Sequence, residues 1–217
     1  MNFVFAAAPQ AVIPVVGSEA VFPVRRIYCV GRNYNEHVVE MGGVAGRDPP
    51  FFFAKPADAI VLDGCFPYPP MSTDVHHEIE LVVALGPKAS IFGYAAGLDM
   101  TRRDLQGAAK KLGRPWEVAK AFDHSAPVSS IMSAANIGHP AKGTITLDVN
   151  GQRRQTGDIA DMIWSVAEII VELGQLFELR AGDVIFTGTP AGVGPVQRGD
   201  VLHGAIAGIA TLDVKVI

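Results

Sequence analysis

Short apolar runs punctuated by glycine and proline are the feature that most constrains this chain: 23 glycines and 15 prolines interrupt its 217 residues. Glycine weakens the interior of a helix or strand, and proline removes a backbone donor. A chain broken this often favours turns and many short strands over a helical bundle. No apolar run approaches the roughly 18 residues that a membrane helix needs.

The punctuation places the elements. Arg26–Val30 reads as a strand ending at Gly31. A short helix is expected over Asn33–Met41, capped by Asn33 and stopped by Gly42 and Gly43. Phe51–Ala54, His77–Leu85 and Ile91–Leu98 read as strands, the last ending near Asp99, and Arg102–Lys111 as a helix halted by Gly113 and Pro115. Thr144–Val149 followed by Asn150-Gly151 is a hairpin signal. One long helix is expected over 161–176, with Ile163, Val166, Ala167, Ile170, Leu173 and Phe177 at helical spacing toward the core. Asp183–Thr187 and closing strands through Ile206 and Val214 complete an α+β, mainly β chain. No GxGxxG or P-loop pattern is present, and the pattern does not fit a Rossmann sheet.

Composition excludes several function classes. Hydrophobic residues make up 49% and the net charge is only −4, so disorder is not expected. Lys+Arg is 18 against Asp+Glu 22, with no basic cluster, which argues against nucleic acid as partner. The apolar opening, Met1–Ala8, has no positively charged region ahead of it and is broken by Pro9, so it reads as an opening strand rather than a signal peptide. Two cysteines without a CxxC fit a reducing cytoplasm. Residues 1–25 are expected to form an N-terminal extension packed on a single domain spanning 26–217.

The sharpest local anomaly is His76-His77-Glu78-Ile79-Glu80-Leu81-Val82-Val83. On a strand, Glu78 and Glu80 share a face, roughly 7 Å apart. Two carboxylates heading into a core repel and lose hydration, so they need an Arg partner, a proton or a cation; a solvated strand face is the alternative. Asp99, at the end of another strand, is either a helix cap, as is Thr101, or a third carboxylate. Three carboxylates supply half of an octahedral oxygen shell, leaving the rest for water or a bidentate ligand.

Other residues join this constellation. His37 and Glu40, three apart on the short helix, lie on one face, where a carboxylate can orient an imidazole that deprotonates water; an exposed ion pair is the alternative. Lys120 lies in a moderately apolar stretch and would bind a substrate carboxylate or an enolate, or else snorkel at the surface. Thr187-Gly188-Thr189-Pro190 follows a strand, and its hydroxyls and amides are candidates for holding an oxyanion. Phe51, Phe122 and Met132 are candidate pocket residues. No Gly-x-Ser-x-Gly elbow is present, so a nucleophile-based hydrolase is disfavoured.

Taken in order, these pieces resemble the fumarylacetoacetate hydrolase family. The matching segments are Gly31-Arg32-Asn33-Tyr34 with His37 and Glu40, Phe53-Ala54-Lys55-Pro56, His76-His77-Glu78-Ile79-Glu80-Leu81, Gly97-Leu98-Asp99-Met100-Thr101 with Arg103-Asp104 and Gln106, Pro115-Trp116 with Lys120, and Thr187-Gly188-Thr189-Pro190 with Gly192-Val193-Gly194. The short form is most similar to the acylpyruvase and fumarylpyruvate hydrolase branch. The resemblance implies a mixed β-roll with a few helices, usually dimeric, and Mg²⁺ or Mn²⁺ held by Glu78, Glu80 and Asp99. It assigns water activation to His37 and Glu40, and substrate contact to Arg103, Gln106, Lys120 and Thr189. The implied reaction is hydrolysis of the carbon–carbon bond of a 3-acylpyruvate such as fumarylpyruvate, in gentisate-type aromatic catabolism. Oxaloacetate decarboxylation or enol–keto tautomerisation at the same site is the alternative. Arg102 stands where a small residue is common before the matched Arg103.

Overall fold

The computed structural model describes residues 2–217. Fourteen of its strands carry the architecture: β1 (Val12–Pro14), β2 (Val21–Pro23), β3 (Arg26–Gly31), β4 (Phe51–Lys55), β5 (Cys65–Phe66), β6 (Val75–His77), β7 (Ile79–Leu85), β8 (Ile91–Leu98), β9 (Met132–Ser133), β10 (Thr144–Val149), β11 (Gln152–Asp158), β12 (Asp183–Phe186), β13 (Val201–Ile206) and β14 (Ala210–Val216). The helices are α1 (Asn35–Glu40), α2 (Arg103–Leu112), α3 (Glu117–Lys120), α4 (Ala134–Ile137) and α5 (Val166–Leu176). The chain is thus mainly β with few helices, as its punctuation requires.

A six-stranded sheet has the order β9-β8-β7-β12-β3-β4, and a five-stranded sheet the order β11-β10-β13-β14-β5. Both are mixed: β12 runs parallel to β3 and β14 parallel to β5, with the other pairings antiparallel. Strand β7 is buried along its whole length and divides the apolar interior by its pleat. Ile79, Leu81, Val83 and Leu85 join a large cluster with Ile145, Leu147, Leu202 and Val214 of the five-stranded sheet. Val82 and Ala84, on the other face, join Ile13, Phe22, Cys29, Ala95 and Phe186. Glu80 therefore shares its face with this second, smaller cluster, at one end of it.

Several local expectations need correction. Residues 2–11 contain no strand, and Met1 lies outside the described residues; Phe3, Val4 and Phe5 are exposed, Pro9 interrupts the stretch, and strand pairing begins at β1. Helix α1 begins after Tyr34, not Asn33. Asn33 is fully buried and bridges instead of capping: its amide donates to the carbonyls of Trp164 and Thr187 and accepts from the Trp164 N–H. The expected stop holds, with Gly42 at φ 79° and the Gly43 N–H donating to the Val38 carbonyl.

Glu78 falls in a break between β6 and β7 rather than within one strand. The long helix starts at Val166, because Ser165 and Glu168 form a reciprocal capping box. Of its expected core face, Leu173 is buried and Val166 and Ile170 pack against the core. Ile163 precedes the helix, while Ala167 and Phe177 are exposed. Asn150 (φ 52°) and Gly151 (φ 76°) both adopt the left-handed conformation that a tight hairpin turn demands, so the β10–β11 hairpin is as its dipeptide indicates.

Candidate metal centre and active site

Glu78, Glu80 and Asp99 converge. One oxygen from each lies within 4.8 Å of the others, and all three residues are buried. The pleat explains this: Glu80 pairs with Gly97 across β7 and β8, and Asp99 follows β8 on the same face as Gly97. A side chain at Gly97 would collide with Phe186 and Val82, so the strand beneath the carboxylates packs flat. Asp99 and Thr101 do not cap α2, whose first residue is Arg103 and which has no side-chain cap.

Three cations surround these acids. Lys120 donates from Nζ to Glu78 Oε2 and Asp99 Oδ2, each at 2.7 Å. Arg103 pairs with Glu78 Oε1 and also donates to Gln106 Oε1. Lys55, to which its sequence context assigns no role, sits 2.8 Å from Asp99 Oδ1 and hydrogen-bonds the Lys120 carbonyl. A lysine closing the apolar run Phe51-Phe52-Phe53-Ala54 was the available signal: on that strand it had to be buried and paired. Lys120 is 3% exposed, which removes the snorkelling alternative, and two of its three N–H bonds are committed to carboxylates.

The surroundings push the two glutamates apart. Burial works against ionisation of Glu78, but the charges of Lys120 and Arg103 outweigh it and hold its carboxyl below the usual range. Burial, then Asp99 and Glu78, pushes Glu80 well above that range, although the Gly188 N–H donates to its Oε2. Asp99 Oδ1 is buried and, despite the nearby Lys55, accepts no well-directed hydrogen bond. Three hard oxygen donors, one oxygen with a lone pair unused and one carboxyl inclined to hold a proton fit a divalent cation of the Mg²⁺ or Mn²⁺ type.

The histidine corner faces the same pocket. His37 Nδ1 is 3.0 Å from Glu40 Oε2; His37 is buried while Glu40 reaches solvent, so the pair is half-buried rather than a fully solvated ion pair. Glu40 Oε1 accepts from the Gly192 N–H at 2.9 Å. The histidine's other nitrogen, Nε2, is left for the pocket that His37 lines.

The Thr187–Gly192 loop differs from expectation. Its amides at Gly188 and Gly192 hold Glu80 and Glu40 rather than an oxyanion. Both glycines have φ 96°, and at Gly192 a Cβ would lie 2.0 Å from the Arg154 carbonyl oxygen. The Thr187 hydroxyl donates to the Leu81 carbonyl, and the Thr189 hydroxyl donates to the Ile79 carbonyl while accepting from Gln155. Gln155, buried and unmarked by any sequence motif, also donates to the Pro190 carbonyl and accepts from the Ile79 N–H, tying the β10–β11 hairpin to the loop.

The pocket is lined by Arg103, Gln106, Lys120 and Thr189, as well as by His37 and the three acids. Phe51 lines it; Phe122 and Met132 do not. Arg102 turns away, with its guanidinium 4.4 Å from the Phe122 ring centroid.

Comparison with known proteins gives the family. Residues 26–217 match the model of the fumarylacetoacetate (FAA) hydrolase C-terminal family. The oxaloacetate tautomerase YcgM of Escherichia coli (strain K12) is 44% identical over 193 residues, covering 83% of this chain and 88% of that protein. A fumarylpyruvate hydrolase of Ralstonia sp is 41% identical, covering 76% and 92%. The crystal structure of fumarylpyruvate hydrolase from Pseudomonas aeruginosa, in complex with Mn²⁺ and pyruvate, superposes with a TM-score of 0.96 at 48% identity, covering 100% of this chain and 99% of that one. The match runs through both sheets and every element that carries the acids, the histidine and the loop glycines, and the chain belongs to the fumarylacetoacetate hydrolase family.

Proposed function

We propose that this protein hydrolyses the carbon–carbon bond of a 3-acylpyruvate, in particular fumarylpyruvate, to give fumarate and pyruvate. The observation that carries this reading is a single pocket in which a histidine oriented by a carboxylate faces three buried acids. The likeness to the Mn²⁺ and pyruvate complex of the Pseudomonas aeruginosa hydrolase supports it over the whole chain. Mg²⁺ or Mn²⁺ held by Glu78, Glu80 and Asp99 would supply Lewis-acid polarisation of the 2-oxo acid end.

The chain's own residues do the rest. Glu40 keeps the proton on His37 Nδ1, so Nε2 is the basic nitrogen. Nε2 takes a proton from water, and the resulting hydroxide adds to the distal acyl carbonyl. The bond from that carbon to pyruvate C3 breaks, and its electron pair leaves as the pyruvate enolate. The imidazolium returns the proton to C3. Lys120, beside Glu78 and Asp99, places positive charge where the enolate develops. Arg103 and the Gln106 amide, adjacent on α2, face the 2-oxo acid carboxylate. The Thr189 hydroxyl, already donating to Ile79, shapes this wall and leaves the binding to its neighbours.

Assay of fumarate and pyruvate release from fumarylpyruvate with Mg²⁺ tests the reading. Activity that survives exhaustive chelation, or no carbon–carbon cleavage at all, overturns it. The 44% identity to the Escherichia coli oxaloacetate tautomerase favours a second reading, in which the same site interconverts enol and keto oxaloacetate or decarboxylates it. Loss of enol absorbance without pyruvate release identifies the tautomerase, and pyruvate release from oxaloacetate the decarboxylase. The hydrolase reading includes a cytoplasmic homodimer acting in gentisate-type aromatic catabolism, with residues 1–25 an extension of the catalytic domain; sedimentation tests the dimer.

A further inference from the structure

The pocket holds more positive charge than the acids account for. Lys55, Lys120 and Arg103 are each paired with Glu78 or Asp99. Arg32 and Lys110 line the same pocket, and among the described residues neither forms an ion pair. Lys110 follows Arg103 and Gln106 at helical spacing on α2, so the three form one stripe toward the pocket. Burial and the charges of Arg103 and Arg32 lower the pKa of Lys110, which puts these cations within electrostatic reach of each other.

Both unpaired cations rest on aromatic rings instead of acids. The Arg32 guanidinium is 6.0 Å from the Phe51 ring centroid and Lys110 Nζ is 5.0 Å from that of Trp116. Phe51 and Trp116 meet edge to face at 5.2 Å, with Phe53 6.0 Å from Trp116. Phe51 lies against the backbone of Gly31, where a Cβ would come within 2.0 Å of the ring. Arg32 itself has φ 59°, a conformation costly for a side-chain-bearing residue, and the Asn33 hydrogen bonds hold the turn that imposes it. The rim is thus an apolar wall of two perpendicular rings flanked by two cations that form no ion pair.

We propose that Arg32 and Lys110 clamp a second carboxylate at the far end of the substrate, and that with the Phe51–Trp116 wall they select acylpyruvates whose planar acyl chain ends in a carboxylate. This rests on the reading above, in which the 2-oxo acid end occupies the acidic floor. A neutral-ended acylpyruvate would leave both cations unmatched.

The test uses the Mg²⁺-loaded protein and two probes of equal length, fumarate and crotonate, the second with a methyl in place of one carboxylate. By calorimetry, fumarate should bind about tenfold tighter or more, the size expected of one charge-assisted hydrogen bond. The same preference should appear in kcat/KM for fumarylpyruvate over acetylpyruvate. Arg32→Met and Lys110→Met should each shrink both ratios about tenfold, with partial recovery in Arg32→Lys, while Lys215→Met on the distant β14 should leave them unchanged. Lys110→Met, at a solvent-reached position on the pocket rim, keeps the test decisive if the Arg32 variants fail to fold. Equal binding of the two acids by the wild type, or ratios unmoved by Lys110→Met, overturns the clamp. Absence of acylpyruvate cleavage, with the fumarate preference present and lost in the variants, overturns the reaction and upholds the clamp. Hydrolysis with unmoved ratios does the reverse.

Discussion

The acidic floor and the histidine corner face one pocket but are held in place by different means. The floor is assembled from β7, the end of β8, β4, α2 and α3; Glu78 and Asp99 are balanced by Lys55, Arg103 and Lys120 from distant parts of the chain, and Glu80 is held by the Gly188 N–H. The corner is one six-residue helix, with His37 bonded to Glu40 three residues on and Glu40 to a single loop amide. Charges with no water around them must balance as a set, so the floor cannot lose one member without leaving another unpaired. The corner carries no such constraint. Damage to the floor should cost stability and cation binding together, and damage to the corner should cost rate.

The largest effect is expected from Asp99→Asn. It removes the charge facing both Lys55 and Lys120, and unfolding by urea should show a loss of about 3–5 kcal/mol. Mn²⁺ binding should disappear with it. If the variant keeps wild-type stability, the balanced-charge account of the floor fails. Next in size is His37→Ala, which should lower kcat for acylpyruvate cleavage by about 10²–10⁴ while Mn²⁺ affinity stays near wild type. A comparable loss of Mn²⁺ binding would dissolve the distinction between floor and corner.

A subtler break is Gly192→Ala. The added Cβ must move away from the Arg154 carbonyl, drawing the Gly192 N–H off Glu40. Backbone strain of about 1–3 kcal/mol is expected, and kcat should fall about tenfold with KM for the acylpyruvate little changed. Should KM rise instead, the loop acts on binding and not on the orientation of His37.

The two regions also differ in how much of them the sequence reveals. Glu78 and Glu80 stand out because acids two apart at the head of an apolar strand violate the core pattern, and Asp99 because it ends the next strand. His37 and Glu40 stand out because three residues is one helical turn. The compensating partners are hidden for the opposite reason. Lys55, Gln155 and Asn33 act across 44 to 154 positions of sequence, and a lone Lys, Gln or Asn has no spacing to read. Asn33 misleads outright: a helix-capping residue type before a helix was committed instead to Trp164 and Thr187. The loop hydroxyls misled likewise, since their donors close onto β7 and only the amides reach carboxylates. Lys110 was legible in principle, as the third member of the Arg103–Gln106 stripe.

The smallest predicted effect sharpens the account of the floor through its proton. Burial, Asp99 and Glu78 raise the Glu80 carboxyl well above its ordinary value of 4.5, so without a divalent cation the folded protein binds a proton that the unfolded chain releases. Between the ordinary and the raised value the folded state holds more protons, and stability must fall as pH rises. A cation taken up by the trio displaces that proton, so its stabilising effect grows as pH rises. Melting temperatures with Mg²⁺ and with chelator should therefore differ by a few °C more at the upper end of that window than at its lower end. Calorimetric binding of Mg²⁺ within it should release about one proton. A Mg²⁺ effect that does not grow with rising pH would mean that Glu80 enters the site already ionised, and the proton would then play no part in balancing the floor.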